Sequence, residues 1–396
     1  MSERTRLCIV TPHHPRATLG GAEFQIECLV DALIPLQRYD ISYVARSVDP
    51  AYHPEGYRIF RLGHRNQAPR FGYAMDAPQL YRTLNLLRPH VIYQRVACGY
   101  SGVCAFYARR NGARLIWHIA HDSDVTSTAG TLDNGRNFIR HAIESSSIRY
   151  AIRNADYIVT QTERQSRLLE TNHGRKADGI VPNFHPEPAE PIDKDGPRTV
   201  LWVANFKRWK QPELFIELAA SLRDLGGVKF VMVGACAVGS GDHEWCASVL
   251  QRLGAGSNLE YLGVQSQAAV NQLMARAHVF VNTSLAEGFP NTFIQAWMRM
   301  VPIVSLNVDP DEVLEREQVG FCARTPDGLA AAVRRLLTDD ALRAAYGARA
   351  RSYALKTHSL RNVRQLSQLI DTARSAGSDR VGPRTNVSLA EERSQL

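Results

Sequence analysis

The sequence predicts an α/β chain built as two doubly wound domains, each a parallel sheet covered on both faces by helices. Three observations carry that prediction. Short apolar runs rich in Val, Ile, Leu and Phe alternate with amphipathic helical patterns, which is the signature of βαβ units. The alternation runs twice, and the rounds are separated by HPEPAEPIDKDGP, His185 to Pro197, whose prolines and acids break both periodicities and mark a linker. A chain of 396 residues is too long for one ordinary core and suits two domains of about 150–200 residues.

The first round, over residues 1–184, places strands at Leu7–Thr11, Ile41–Ala45, Tyr57–Leu62, Val91–Gln94, Arg114–Ile119, Tyr157–Thr160 and Ile180–Val181. Helical patterns lie between them at Ala22–Leu33, Pro78–Leu87, Ser101–Arg110, Asn137–Asn154 and Glu163–Glu170. The second round, over residues 198–345, has strands at Thr199–Val203, Val228–Val233, Asn258–Leu262, His278–Asn282 and Pro302–Ser305. Its helices are Pro212–Leu225, His243–Leu253, Gln267–Ala277, Asn291–Met300 and Gly328–Leu337. Beyond Asp339 the pattern is helical to about Thr372, and the polar, Ser-rich residues 376–396 read as a flexible tail. Two such domains leave a cleft at the carboxyl ends of their strands, where ligands of doubly wound sheets bind.

Composition narrows the function classes. Hydrophobic residues at 44% and charged residues at 22% describe a globular chain rather than a disordered one. MSERTRLCIV carries no long apolar region, so no secretory signal is expected, and no apolar run approaches the ~20 residues of a membrane span. The seven cysteines are scattered with no CxxC pair, which predicts free thiols in a reducing cytosol and no structural zinc. Net charge is +8, and residues 1–190 hold 23 Lys and Arg against 18 Asp and Glu. Arg109, Arg110, Arg114, Arg136, Arg140, Arg149 and Arg153 give that half a basic surface suited to anionic headgroups or a pyrophosphate-linked acceptor. No basic stripe interleaved with aromatics is present, so nucleic acid is not the expected partner.

The most informative stretch is HVFVNTSLAEGFPNTFIQAW. A buried strand leads through a polar connection into a helix that takes Pro290 in its first turn. A loop carboxylate beside a helix N-terminus makes an anion site, with backbone N–H groups and the positive end of the dipole behind it. Glu287 guards that site, Gly288, Phe289, Pro290, Asn291 and Thr292 form its wall, and Gln295 lies a turn further in. Lys207, Arg208 and Lys210, with Asn205 just before them, crowd the loop after the second domain's first strand, where a diphosphate would lie. Gly20 and Gly21 precede the first helix and allow close backbone approach to a phosphate or sugar, although the G-x-G-x-x-G fingerprint is absent. His13 and His14 lie just upstream, on the acceptor side. In LIWHIAHDSDV, strand alternation turns His118 into the sheet layer, while His121 follows the strand's carboxyl end. Asp122-Ser123-Asp124 has the spacing of an Asp-x-Asp metal motif, but the same spacing recurs at Asp193–Asp195 and Asp309–Asp311, so no metal site is assigned.

Taken in order, these motifs resemble glycosyltransferase family 4 (group 1 glycosyl transferases), retaining enzymes of the GT-B type with two Rossmann-like domains facing across a cleft. The resemblance implies that Glu287 contacts the donor sugar as the first acid of an E-x7-E signature. Gln295 stands where the second acid bonds the nucleotide ribose, and an amide can still donate and accept there. Lys210 matches the family's diphosphate-binding Lys, Asn205 stands at the companion Arg position, and Arg208 or Lys207 compensates. His121 matches the histidine that supports the donor hexose, Gly20-Gly21-Ala22-Glu23 matches a GGxE-like turn near the phosphates, and Val181–Asn183 supplies the family's VPN segment. By the same resemblance, residues 346–375 form helices that pack back towards the first domain.

The function this implies is transfer of a sugar, with retention, from a nucleotide-diphosphate donor to a hydroxyl of a glycan or lipid-linked acceptor in cell-surface polysaccharide synthesis. Glu287, His121 and Lys210 are its expected catalytic residues, and no metal or other cofactor is expected, because protein cations take the leaving diphosphate. The location implied is cytoplasmic, with weak peripheral contact at an anionic inner membrane face. Two other readings share the architecture: a nucleotide-sugar 2-epimerase, against which the Lys loop argues, and a catalytically silent nucleotide-sugar-binding subunit.

Overall fold

A computed structural model describes residues 3–18, 20–63, 66, 69, 72–126, 138–236, 242–253 and 258–377. The chain divides into two compact units, one made of the residues up to Phe184 with those from Leu360 onward, the other of His185–Ser359.

The first unit holds a seven-stranded sheet: β1 Thr5–His13, β2 Tyr39–Ser47, β3 Tyr57–Arg61, β4 Val91–Gln94, β5 Arg114–His118, β6 Tyr157–Thr160 and β7 Gly179–Ile180. Its order is β3-β2-β1-β4-β5-β6-β7, and every pair is parallel. The connections contain α1 Gly21–Leu33, α2 Ala77–Leu87, α3 Gly99–Asn111, α4 Phe138–Asn154 and α5 Glu163–His173. Period-two alternation divides the apolar residues between two layers. Leu7 and Ile9 join α1's Ile26, Leu29 and Leu33 on one face. Cys8 and Val10 join Leu80, Leu84, Cys104 and Trp117 on the other.

The second unit repeats the plan with β8 Arg198–Val203, β9 Val228–Val233, β10 Leu259–Tyr261, β11 Val279–Asn282, β12 Ile303–Ser305 and β13 Gly320–Cys322, in the order β10-β9-β8-β11-β12-β13. Its helices are α6 Pro212–Ser221, α7 His243–Gln251, α8 Gln267–Arg276, α9 Asn291–Met298, α10 Val313–Arg316, α11 Pro326–Thr338 and α12 Asp340–Thr357. Side-chain caps start several helices: Ser266 accepts the Ala269 N–H, Thr325 the Gly328 N–H and Asp339 the Leu342 N–H. The helix after β11 stops at Met298, because Met300 turns to φ 58° and Pro302 follows.

The last helix, α13 Arg361–Gly377, belongs to the first unit. Its Leu366, Leu369 and Ile370 enter the β1–α1 layer, and Tyr39 Oη bonds Ser367 Oγ (2.8 Å) and Asp371 Oδ1 (3.0 Å). α12 stays with the second unit, where Gly347 lets it close on the Met300 carbonyl: an added Cβ would lie 2.4 Å from that oxygen. Two expectations are therefore corrected. The helical run after Asp339 is broken at His358–Leu360, and its first helix, α12, stays with the second unit instead of packing towards the first; the final helix joins the first unit as expected. The strand β13, whose Gly320-Phe321-Cys322 carries no run of Val or Ile, and the one-turn α10 escaped the sequence reading. The predicted start of α4 at Asn137 and the expected tail from 378 on lie outside the described residues.

The Pro- and acid-rich segment is irregular, as read, but bound to the second unit. Glu190 pairs with the buried Arg299 guanidinium, Glu187 with Arg351 (3.2 Å), and the Lys194 ammonium bonds the Ala277 carbonyl. Burial pushes the Lys194 amine down to about 7. Among the described residues no helix is long and apolar enough to cross a membrane.

The reading of all seven cysteines as free thiols is corrected at one pair. Cys236, after β9, is joined to Cys246 on α7 with the Cα atoms 6.3 Å apart, inside the range a disulfide spans; five cysteines are free. The pairing was illegible because it links a loop to a helix rather than a CxxC motif. The denatured, unreduced chain should accordingly bind five equivalents of alkylating reagent, and seven after reduction. Seven without reductant would show that the bridge does not form.

Candidate functional site

In each sheet one strand has neighbours leading in opposite directions along the sequence, and loops diverge there to leave a crevice at the carboxyl edge. In the second unit that strand is β8, flanked by β9 and β11. The loop after β8 carries Asn205 to Gln211, and the loop after β11 carries Thr283 to Pro290. Hydrogen bonds stitch the two together. Trp202 Nε1 donates to Thr283 Oγ1 (2.9 Å), Thr283 Oγ1 donates to the Lys210 carbonyl (2.6 Å), and the Leu285 N–H donates to the Trp209 carbonyl (2.8 Å).

This stitching brings Lys210 and Glu287, 77 positions apart, into a direct ion pair. Their side chains are 20% and 13% exposed, so the pair is partly withdrawn from water and less screened than a surface bridge. Ser284 Oγ donates to the same Glu287 oxygen (2.8 Å) and fixes the carboxylate. The α9 N-terminus follows directly, with Pro290 as N-cap and Asn291 and Thr292 in its first turn. A fixed cation, a fixed carboxylate and the positive end of a helix thus meet in one place.

Not all the predicted residues converge there. Arg208 bonds Asp242 (3.0 Å) and stacks on Trp245, while Lys207 lies over the Trp209 ring (4.8 Å), so neither replaces a missing charge beside Lys210. Asn205 is exposed and Gly288 buried. Phe289 is buried against His358, ring centroids 4.5 Å apart. Gln295 is buried, only 4% exposed.

His121, Gly20 and Gly21 belong to the first unit. His121 follows β5, and its Nδ1 accepts the Ser123 backbone N–H (3.1 Å), which puts the ring proton of the neutral form on Nε2. Asp124 Oδ2 accepts the N–H groups of Ala120 (2.9 Å) and His121 (3.0 Å), holding the turn. Asp122 is committed to Arg164 (3.0 Å) and Gln165 (3.1 Å). The triplet's carboxylates are thus engaged by α5 and by the loop backbone, and among the described residues no His, Cys, Asp and Glu side chains group as a metal-holding cluster. Gly20 caps α1 with the buried Glu23 against it: an added Cβ would lie 2.0 Å from a Glu23 oxygen.

His118 is the packed histidine the alternation predicts. Burial and Arg95 hold it well below its usual pKa, so the neutral ring shares Nδ1 with Tyr93 Oη (2.8 Å) and Arg95 (2.9 Å) while Nε2 donates to the Val181 carbonyl (3.1 Å). The VPN segment is fastened there, with Asn183 Oδ1 accepting from Arg95. His14 does not line a site. It is buried among Tyr43, Tyr52 and Tyr57, and burial and Arg16 push its pKa down to about 4.

Sequence reasoning missed Thr283, Ser284, Trp202 and Gly234. The Thr-Ser pair at the end of an apolar strand was a visible signal for the first two. Gly234, at φ +130°, ends β9 so close to β8's loop that a Cβ would lie 1.8 Å from the Ala204 carbonyl oxygen. Only the fold reveals that approach.

Residues 197–339 match the family model for Glycosyl transferases group 1. Over 203 residues, 49% of the chain, the sequence is 27% identical to the exopolysaccharide phosphotransferase of Streptomyces coelicolor, and the match spans 21% of that relative's length. Among solved structures, sucrose-phosphate synthase from Thermosynechococcus elongatus superposes with a TM-score of 0.74 at 17% identity, over 94% of this chain and 100% of that one. Anabaena HepE, in complex with UDP and glucose, gives 0.72 at 16% identity over 93% and 100% of the two chains. WaaG, a glycosyltransferase involved in lipopolysaccharide biosynthesis, gives 0.72 at 13% over 92% and 99%. At these identities the likeness shows the fold, and the fold is GT-B.

One consequence concerns pH. Burial raises the Asp124 carboxyl to about 6, against the Ala120 and His121 N–H bonds that favour its charge. The folded chain therefore keeps a proton the unfolded chain has already lost, so this group's contribution to stability falls as pH rises from the ordinary carboxylate value to about 6 and is level above it. Stability of Asp124→Asn relative to the parent should rise across that window, as measured by denaturant unfolding. A pH-independent difference would show that Asp124 ionises normally.

Proposed function

We propose that this chain is a retaining, metal-independent hexosyltransferase that moves a sugar from a nucleotide-diphosphate donor to a hydroxyl of a glycan or lipid-linked acceptor. The observation that carries this reading is the Lys210–Glu287 pair, fixed by Thr283 and Ser284 at the α9 N-terminus. Cleaving the donor develops negative charge on the departing diphosphate and positive charge at the anomeric carbon. Lys210 and the first-turn donors of α9 stabilise the first, in the role a metal would otherwise fill. Glu287, exchanging Lys210 for sugar hydroxyls, holds the ring and lends negative charge beside the second. In same-face attack the bond from the anomeric carbon to phosphate breaks as the bond to the acceptor oxygen forms, and the acceptor's proton passes to the leaving phosphate oxygen. His121, with Nδ1 accepting the Ser123 N–H, offers its Nε2 proton as a hydrogen-bond donor to the hexose. The UDP bound by HepE makes uridine the first base to test, and the Streptomyces relative favours a part in exopolysaccharide synthesis.

Nucleotide-sugar panels should give transfer by the parent chain. Lys210→Ala should abolish most of it and weaken UDP binding more than UMP binding, and Glu287→Gln should cost roughly 100-fold in turnover or more. Full activity in Lys210→Ala would remove that residue from the site.

We also propose a cytoplasmic location with peripheral contact at an anionic membrane. In the first unit Phe106 and Tyr150 are exposed on α3 and α4 beside the exposed Arg109, Arg110, Arg149 and Arg153. Basic residues near an anionic surface contribute about 1 kcal/mol each, less as salt rises. Co-sedimentation should show salt-reversible binding to anionic but not neutral vesicles. Equal binding to both would show contact that does not depend on the basic surface, and binding to neither would leave a transferase without membrane contact.

A further inference from the structure

We infer that a recess in the first unit, walled by Tyr73, Arg140 and Glu144, binds a neutral pyranose ring of the acceptor rather than an anionic group. The assignment to an acceptor rests on the transferase reading above. The recess holds about 370 Å³, near the lower end of the ~300–1,000 Å³ of small-molecule sites. It lies where β4 passes into α3, at the carboxyl edge of the sheet, with Ala97, Cys98 and Ile148 as its apolar floor.

Its wall is firmly built. Glu144, on α4, accepts the Gly99 N–H at the start of α3 and the Ala74 N–H (3.4 Å), and Ser147 Oγ donates to the Gly99 carbonyl (2.7 Å). The Gly99 backbone is packed so tightly that a Cβ there would lie 2.2 Å from the Ala74 nitrogen. Tyr73 Oη shares a hydrogen bond with His13 Nε2 (3.2 Å), and its ring packs against Tyr100 (5.3 Å).

The charges decide the ligand. An open α3 N-terminus would favour a phosphate or carboxylate, but Glu144 already supplies the anion there. Arg140 makes no hydrogen bond or ion pair among the described residues, and its charge is offset by Glu144 in the same recess. Tyr73 stays a neutral phenol, its pKa raised by burial to about 12, and burial likewise favours neutral His13. The opposite charges of Arg140 and Glu144 cancel, and with His141 completing the lining the recess offers guanidinium and imidazole groups, carboxylate lone pairs and the Tyr73 phenol. Vicinal hydroxyls of a sugar use both donors and acceptors, whereas an anion would meet the Glu144 carboxylate. The chain's +8 charge therefore does not select an acidic acceptor at this point.

Saturation-transfer NMR on the full chain tests this, with methyl glucopyranoside and methyl galactopyranoside as neutral probes and glucuronate and glycerol phosphate as anionic ones. The neutral glycosides should give the stronger signals, and Arg140→Ala should weaken them several-fold without changing thermal stability. Stronger signals from either anion, or glycoside signals unchanged in Arg140→Ala, would overturn the assignment. Thermal shifts with UDP, GDP and ADP on the same samples separate the two readings. A retained shift with a failed recess sinks only the recess, whereas Arg140-dependent glycoside signals with no shift from UDP, GDP or ADP uphold sugar binding in the recess and sink the transferase reading.

Discussion

The parallel pairing of β11 with β8 is the constraint on which the candidate site of the second unit depends. Val279 lies opposite Val200 and Phe280 opposite Leu201, so both strands deliver their following loops to the same edge of the sheet. Thr283 can then bond the Lys210 backbone, and Lys210 can meet Glu287. A slip of one residue would turn Phe280 and Val281 to opposite layers and disconnect the loops, because strand side chains alternate with period two. The site's geometry is thus protected by the hydrophobic core beneath it, where Phe280 and Leu201 share one layer and Val279 and Val200 the other.

A second theme is where charge is held away from water. The Lys210–Glu287 pair keeps two charges half-buried by giving each a partner, and Ser284 satisfies the carboxylate further. Arg95 is buried more deeply and is bonded by neutral groups, Asn183, Tyr93 and His118, which requires His118 to remain uncharged. Arg299 is matched by Glu190. Leaving one member of such a group without its partner costs the desolvation of the other, so these networks specify local structure more than they add stability. They explain why the VPN segment and the Pro-rich segment hold fixed conformations despite lacking regular structure.

Much of the fold was legible because it follows from short-range periodicity. β4, β6 and β9 fall on the residues that their apolar runs mark, and most helices begin within a residue or two of their patterns. Composition alone placed a break near His185. Among the candidate site residues, Glu287 stood out from strand–loop–helix context, since a loop at the carboxyl end of a parallel strand is where such sheets hold ligands, while Lys210 and His121 were picked out by the family resemblance.

Three-dimensional contact decided the rest, for identifiable reasons. Strand order is not written in any one run, so the adjacency of β8 and β11, and with it the Lys210–Glu287 pair, emerges only when the sheet closes. Arg208 looked like a site residue by position, yet Asp242 and Trp245 draw it aside. Gly234 is needed because the Ala204 carbonyl approaches it, and α13 joins the first unit because its Leu366, Leu369 and Ile370 fill that unit's layer. The sequence by itself determined which segments become strands and helices, since the backbone period and the burial of apolar faces are local properties. The tertiary structure alone decided which loops meet, because pairing between distant strands depends on the whole sheet and not on either segment.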